Sequence, residues 1–327
     1  MHLVGPFTEI VTCAGWPLRG PLGDEIIQPI RNAGVLLKNG IILAVDRFTD
    51  LQKKASTVEN INGPSVLLPG FIDAHTHICW AGSRANDYAG RIQGLSYLEI
   101  ADRGGGIWQT VEDTRAATES ELNHLLLERL YRLKKSGTTT VEVKSGYGLE
   151  PSSELRILRL INKANRQSDL DLIATCLAAH IKPQDWHGDN ASYLDSLVGQ
   201  LLPVVKREGL ANRIDIFVDE VAFSKHEANP YLRAARNLDF AVTVHADQFS
   251  TGGSALGCAW KALSVDHLEA STVEEINRLG NSSTVATVLP AASLGLGTNF
   301  APARGLLDAG AILAIASDWN PGSAPMG

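Results

Sequence analysis

Thr138-Thr139-Thr140-Val141-Glu142-Val143-Lys144 and Leu172-Ile173-Ala174-Thr175-Cys176-Leu177-Ala178-Ala179-His180 are two largely apolar runs separated by the amphipathic segment Ser152–Asn165. Strands that read as near-continuous apolar runs lie in sheets buried on both faces, and a helix between two of them predicts parallel pairing. The same alternation extends in both directions. Further strand-like runs are Phe71–Ile78, Ile214–Val221, Phe240–His245, Leu263–His267, Thr284–Leu289 and Ile312–Asp318, which makes eight. Amphipathic stretches at Glu119–Lys135, Ala191–Glu208 and Ser271–Leu279 fall between them. Eight is the number that closes a (β/α)8 TIM-like barrel, and a doubly wound open sheet is the competing arrangement.

The first 65 residues read differently. Gly34-Val35-Leu36-Leu37 and Ile41-Ile42-Leu43-Ala44-Val45 flank Asn39-Gly40, a strong hairpin signal. Residues 1–65 are therefore expected to form short antiparallel strands, a small β-sandwich-like domain, with the barrel over residues 66–327. The chain stops nine residues after Asp318, leaving no eighth helix to cover the last strand. A fragment is one expectation from this; cover of that strand by another element is the other.

At 44% hydrophobic and 20% charged residues over 327 positions, the chain is globular in composition rather than disordered, collagenous or coiled-coil. Twenty-nine basic against 36 acidic residues give a net charge of −7 with no basic block, which argues against nucleic acid and anionic membrane as partners. No apolar run approaches the roughly 18 residues of a membrane span. Met1-His2-Leu3-Val4-Gly5-Pro6 lacks the pattern of a signal peptide. Cys13, Cys79, Cys176 and Cys258 are widely spaced without a CxxC pair, as expected of reduced thiols in a cytoplasmic protein.

Barrel chemistry gathers at the C-terminal ends of strands. The polar residues there are His75-Thr76-His77, then Glu142, Lys144 and Tyr147, then His180, Asp219-Glu220, His245-Ala246-Asp247-Gln248, Asp266-His267 and Ser317-Asp318. Five of nine histidines occupy these positions, a concentration that points to a site. Residues i and i+2 of a strand share a face, so His75 and His77 can share one metal ion. His245 and Asp318 can complete a set of three imidazoles and one carboxylate, which suits zinc or iron(II) with a position left for water.

Pro69-Gly70-Phe71-Ile72-Asp73-Ala74-His75-Thr76-His77 resembles the first-strand signature of the amidohydrolase superfamily. Four further stretches are similar, more narrowly, to the imidazolonepropionase family: Ala81-Gly82-Ser83-Arg84, Gly104-Gly105-Gly106-Ile107, Val141–Leu149 and Asp318-Trp319-Asn320-Pro321-Gly322-Ser323. The resemblance runs from about residue 30 to the end. It implies hydrolysis of 4-imidazolone-5-propanoate to N-formimidoyl-L-glutamate, with one Zn2+ or Fe2+/Fe3+ per chain, a small-molecule substrate and a homodimer. By position, His75, His77, His245 and Asp318 match its metal ligands. Arg84, Tyr147, His180, Gln248, Asn320, Gly322 and Ser323 match its substrate contacts, and His267 matches the histidine near the reacting carbonyl. The family's chain continues beyond Gly327, so this resemblance puts the cover of the barrel, not the site residues, in question.

In this reading Asp318 accepts a proton from water and passes it to the departing ring nitrogen, while His267 and His180 hydrogen-bond the developing oxyanion. Arg84 offers a fork for a propanoate carboxylate. Exposed amides of the Asn320–Ser323 turn are candidates for a further oxygen. The fourth strand ends in Asp219-Glu220 rather than a bridging lysine, so one metal is expected, and Lys144 is read as an ion-pair partner of Glu142 or a neighbouring acid. Gly104-Gly105-Gly106 is expected to be a loop over the barrel mouth. Ser264 with Asp266 and His267 lacks the elbow of a serine hydrolase. The alternatives are another amidohydrolase reaction, such as base deamination, against which Ala246-Asp247-Gln248 argues, and an inactive or non-catalytic descendant of the scaffold.

Overall fold

The computed structural model describes residues 1–95, 99–100 and 103–325. The chain divides into two compact units, Met1–Gly70 and a second that begins at Phe71. In the first, β1 (His2–Ile10), β2 (Ile30–Lys38), β3 (Ile41–Arg47) and β4 (Thr57–Asn60) form a sheet in the order β3-β2-β1-β4, with β5 (Val66–Leu67) also pairing β1. The β2–β3 hairpin turns at Asn39 and Gly40, both at positive φ (52° and 78°), the conformation that an Asn-Gly turn supplies most easily. β4 and β5 run parallel to β1. The expected antiparallel, sandwich-like arrangement is thus realised as one mixed sheet. The chain between β3 and β4 carries the helix Phe48–Gln52, and this crossover returns β4 parallel, where a tight turn would have returned it antiparallel.

The second unit is a barrel of eight parallel strands: β6 (Phe71–Asp73), β7 (Thr138–Lys144), β8 (Asp171–Ala179), β9 (Arg213–Val218), β10 (Ala241–Ala246), β11 (Ser264–His267), β12 (Val285–Val288) and β13 (Ile312–Ile315), hydrogen-bonded in chain order. Fully buried Val141, Val143, Cys176, Ile214, Ile216, Val242, Val244 and Val265 explain the apolar runs. Helix Glu119–Lys135 begins where Thr118 accepts from the Glu121 amide, and it ends on Arg132, Lys134 and Lys135, charges that suit the helix dipole. The expected helix over 191–208 is interrupted. Asn190–Ser196 and Leu202–Glu208 flank a π-turn at Leu197–Leu201, because Pro203 has no N–H to return to the preceding turn.

The first and last strands are shorter than their apolar runs. β6 leaves its ladder at Asp73 and β13 at Ile315, and the seam between them is joined beyond those ends. Asp73 Oδ1 and Oδ2 accept from the Ser317 amide (3.1 Å) and hydroxyl (2.6 Å). The Asp318 amide donates to the His75 carbonyl, and the His77 amide to that of Trp319, each at 3.0 Å. Arg129 supports this end of the barrel by donating to the carbonyls of Ile78 (2.8 Å) and Trp80 (2.7 Å). Among the described residues no helix is long and apolar enough to cross a membrane.

Candidate active site

At the C-terminal ends of the barrel strands four side chains converge. His77 Nε2 lies 3.2 Å from His75 Nε2 and 3.3 Å from His245 Nε2. Asp318 Oδ1 lies 3.4 Å from the first and 3.3 Å from the second of the His75–His77 pair. Asp318 Oδ1 is buried without a hydrogen-bond partner. Ligand atoms on a tetrahedral ion with bonds of about 2.0–2.1 Å stand about 3.3–3.4 Å apart. The donor set and its spacing therefore fit a divalent metal. His267 joins the same cluster, with a ring nitrogen within 4.8 Å of those of His75 and His245. Its φ of 88°, with 75° at Leu268 and 49° at Asp318, places non-glycine residues in the left-handed region, the strain that functional sites concentrate.

Buried acids orient the rings from behind. Asp266 Oδ2 lies 2.7 Å from His75 Nδ1, and Asp215 Oδ1 lies 3.1 Å from His245 Nδ1. Carboxylates in these positions fix the Nδ1–H tautomer and leave Nε2 free to ligate. Lys144 ties the two acids together. Its Nζ donates to Asp215 Oδ2 at 2.7 Å and Glu142 Oε1 at 2.9 Å, and stands 3.6 Å from Asp266 Oδ2. Burial alone would lower the lysine, but Asp215, Glu142 and Asp266 hold it above its ordinary value. Burial raises Glu142 in spite of Lys144, whereas Lys144 and the adjacent histidines hold Asp215 and Asp266 below the usual carboxylate range against their own burial. Burial and Lys144 push His75 down, yet Asp266 and Asp318 raise it to about 10; burial takes His77 down to about 4. The cluster thus has a place for positive charge, which a metal ion can fill.

A cavity opens over this cluster, lined by His77, Arg84, Tyr147, His180, His245, Gln248, His267, Asp318, Asn320 and Ser323 together with Ile107, Phe217, Phe249 and Leu296. Arg84 is buried and its Nε donates to Asp87 Oδ2 at 2.6 Å. His180 Nδ1 lies 3.1 Å from the Gly146 carbonyl. A carbonyl only accepts, so that nitrogen carries the proton, and burial, which takes His180 down to about 3, leaves Nε2 an acceptor. His75, fully buried, does not line the cavity. Gly322 stands behind Arg84, where a Cβ would fall 2.4 Å from Nη1. The amides of Gly322 and Ser323 are not exposed as expected: both donate to Asn320 Oδ1, at 2.8 and 2.9 Å. Asn320 in turn donates to the Asp318 carbonyl at 2.6 Å, so this side chain secures the turn.

Several supporting residues escaped the sequence reading. Asp215 had a visible signal, a lone acid inside Ile214–Val218. Glu269, with Oε2 3.7 Å from His267 Nδ1, and Glu154 had none. Glu154 accepts the amides of Gly148 (2.7 Å), Leu149 (2.8 Å) and Gly146 (3.1 Å). Burial pushes its carboxyl up, opposed by the Ser145 side chain and these amides. Asp219 accepts from the amides of Phe249 and Ser250, a bracing role away from the cluster. Gly104 and Gly105 lead into helix Gly106–Ala116, whose first amide donates to Asp87 Oδ2 at 2.9 Å.

No family model matches the chain. It is 42% identical over 323 residues to an imidazolonepropionase from Deinococcus radiodurans, covering 98% of this chain and 78% of that one. An imidazolonepropionase from Symbiobacterium thermophilum is 41% identical over 326 residues, covering 97% and 76%. Among solved structures, a guanine deaminase from E. coli superimposes with a TM-score of 0.72 at 16% identity, over 99% of this chain and 76% of that one. A zinc-containing adenosine deaminase from Xanthomonas campestris does so at 0.65 and 17%, over 99% and 70%. At those identities the likeness shows the fold alone.

Proposed function

The chain belongs to the imidazolonepropionase family, and from that membership we propose that it opens the ring of 4-imidazolone-5-propanoate with water to give N-formimidoyl-L-glutamate, a step of histidine degradation. The observation that carries the reading is the convergence of His75, His77, His245 and Asp318 at the base of a cavity rimmed by Arg84 and Tyr147.

These four residues would hold one divalent ion, zinc or iron. When bound, such an ion supplies Lewis acidity, polarising a carbonyl and making water more acidic. Arg84, fixed at Nε by Asp87, presents the rest of its guanidinium to the propanoate carboxylate. Asp318 takes a proton from water at Oδ2, the carboxylate oxygen not spaced with the histidine nitrogens, as the carbon–oxygen bond forms, and delivers it to the ring nitrogen as the carbon–nitrogen bond breaks. His267, beside His75 and His245 in the cluster, is placed to donate a ring N–H to the developing oxyanion. His180 takes a different part from the one expected of it. With its proton on Nδ1, its Nε2 can accept a substrate N–H and cannot donate to an oxyanion. Tyr147, Gln248 and Ser323 supply the remaining polar wall, and Asn320 and Gly322 act by shaping it.

The test is metal per chain measured alongside loss of imidazolone absorbance. About one zinc or iron with turnover is expected. A folded chain that binds no metal overturns the ligand set. Turnover of guanine or adenosine in place of the imidazolone overturns the substrate assignment. Asp247 already argues against deamination there: its carboxylate is turned to Ser254 and Ser271.

A further inference from the structure

Residues 145–149 form a loop whose peptide groups point inward. Gly146 and Leu149 lie at φ 108° and 53°, and backbone in that region brings successive amides to one concave side. Such a concavity ordinarily binds an anion. Here the anion belongs to the chain. Glu154, fully buried four residues into the helix Pro151–Asn165, places its carboxylate against the amides of Gly146, Gly148 and Leu149. The carboxyl oxygens accept all three amides, and the helix N-terminus suits an acceptor in this position.

The same loop holds two cavity residues. Tyr147, between the two glycines, has its ring centre 5.9 Å from that of His77 and 5.8 Å from that of His180. The Gly146 carbonyl accepts from His180 Nδ1. The loop leaves no space for a side chain at either glycine: a Cβ on Gly146 would meet the Leu177 carbonyl at 2.9 Å, and one on Gly148 would meet the Glu154 amide at 2.7 Å. The peptide that Glu154 pins by its N–H at Gly146 is therefore next to the one whose carbonyl sets the tautomer of His180.

We propose that Glu154 is a positioning residue for the reaction, fixing through the 145–149 loop both the direction of the Tyr147 phenol and the Nδ1–H tautomer of His180. This rests on the assignment of Tyr147 and His180 to substrate binding. In Glu154→Gln the retained oxygen would keep the amides of Gly148 and Leu149 and the longer 3.2 Å bond from Gly146, but an NH2 would replace the oxygen now 3.1 Å from the Gly146 N–H, two donors face to face, and the loop must move.

The experiment compares Glu154→Gln with Tyr147→Phe and His180→Gln in the metal-loaded chain. It records kcat/KM on the imidazolone, metal content, and the side-chain 15N resonances of His180. For Glu154→Gln we expect kcat/KM lower by about 10- to 100-fold, metal content equal to the unsubstituted chain, and a His180 Nδ1 resonance that no longer reports a proton held by a carbonyl. A folded Glu154→Gln chain with unchanged His180 resonances and unchanged kcat/KM overturns the proposal. A lowered Tm with both of those unchanged also overturns it, since that is what a merely structural residue gives. If Tyr147→Phe and His180→Gln both retain full kcat/KM, the substrate-binding assignment fails instead, and the proposal with it. Should the glutamine chain not fold, Glu154→Asp, which keeps the charge but withdraws it by one methylene, is expected to move both readouts the same way, and unchanged values in it refute the proposal equally.

Discussion

Gly322→Ala separates stability from function at a single methyl group. The backbone at Gly322 lies outside the left-handed region, so alanine fits its conformation without strain. The new Cβ would meet Arg84 Nη1 at 2.4 Å and Cζ at 2.7 Å, about 1 Å inside the 3.4 Å at which ordinary contact begins. The obstructed atoms are the end of a side chain, so folding yields by moving the guanidinium. Removing a glycine from the unfolded chain even stabilises by about 0.4–1 kcal/mol, and the net change in stability is expected within about 1 kcal/mol of zero. Function does not yield as easily. Arg84 is buried and anchored at Nε to Asp87 at 2.6 Å, so a shift of about 1 Å misaims the fork. Misplacements of that size cost up to about 100-fold. A carboxylate held equally in ground and transition states would show the loss as raised KM with kcat little changed. Steady-state kinetics on the imidazolone, with urea unfolding and metal content as controls, read all three quantities. A folded Gly322→Ala chain with the original KM refutes the role given to Arg84. Gly295→Ala is the contrast: its Cβ would lie 1.7 Å from the Ser323 carbonyl, a backbone atom that cannot swing aside, so stability and activity should fall together.

Lys144→Met should destabilise the chain by about 3–5 kcal/mol in urea unfolding, because it strands Asp215 and Asp266 in a dry interior; a loss under about 1 kcal/mol would mean the network rearranges at little cost. Chelation at neutral pH should abolish turnover while leaving the far-ultraviolet circular dichroism intact, since the barrel core is apolar, and zinc or iron should restore it; turnover that survives complete metal removal contradicts the site. Burial pushes the Cys79 and Cys176 thiols up to about 12, so at pH 7–9, well below that value, almost no thiolate forms and alkylation should pass them by. Cys13 is exposed and should be alkylated first, as mass spectrometry of the peptides would reveal.

The barrel was legible because each buried parallel strand announces itself by composition, and the site because such barrels place chemistry at one end of every strand. His75, His77, His245, His267 and Asp318 could be collected from the order of residues alone. Lys144 and Asp266 could be collected too, but not the particular partners they take. Asp266 reaches His75 across 191 residues and Lys144 reaches Asp215 across 71, and neither separation leaves a trace in local pattern. Glu154 looks like an ordinary acid in a first helical turn until the loop folds onto it. The Asn320–Ser323 turn misled in the opposite direction. Its composition correctly indicated a turn, but composition does not say whether a side chain on the turn consumes the amides, and Asn320 does.

The closure of the barrel and the geometry of the metal cluster depend on the same bonds. Asp318 stands outside β13, at positive φ, where regular pairing has already ended. It is held there by its amide on the His75 carbonyl, while the His77 amide holds the Trp319 carbonyl and Asp73 holds Ser317. Two of the histidines and the carboxylate of the cluster are thus contributed by the two edges of one seam. An ion that binds all of them binds the closed barrel better than an open one, and any species with that preference stabilises the closed state by mass action. The tightly buried acids behind the rings act in the same sense, since an imidazole locked by Asp266 or Asp215 loses no rotational entropy on ligation. The first strand begins at the far end of the seam with Phe71 and Ile72 exposed, so the bonds beyond the strand ends concentrate the responsibility for closure at the catalytic end. Metal affinity and barrel stability should therefore rise and fall together across substitutions at Asp73, whose carboxylate touches the seam but no ring of the cluster.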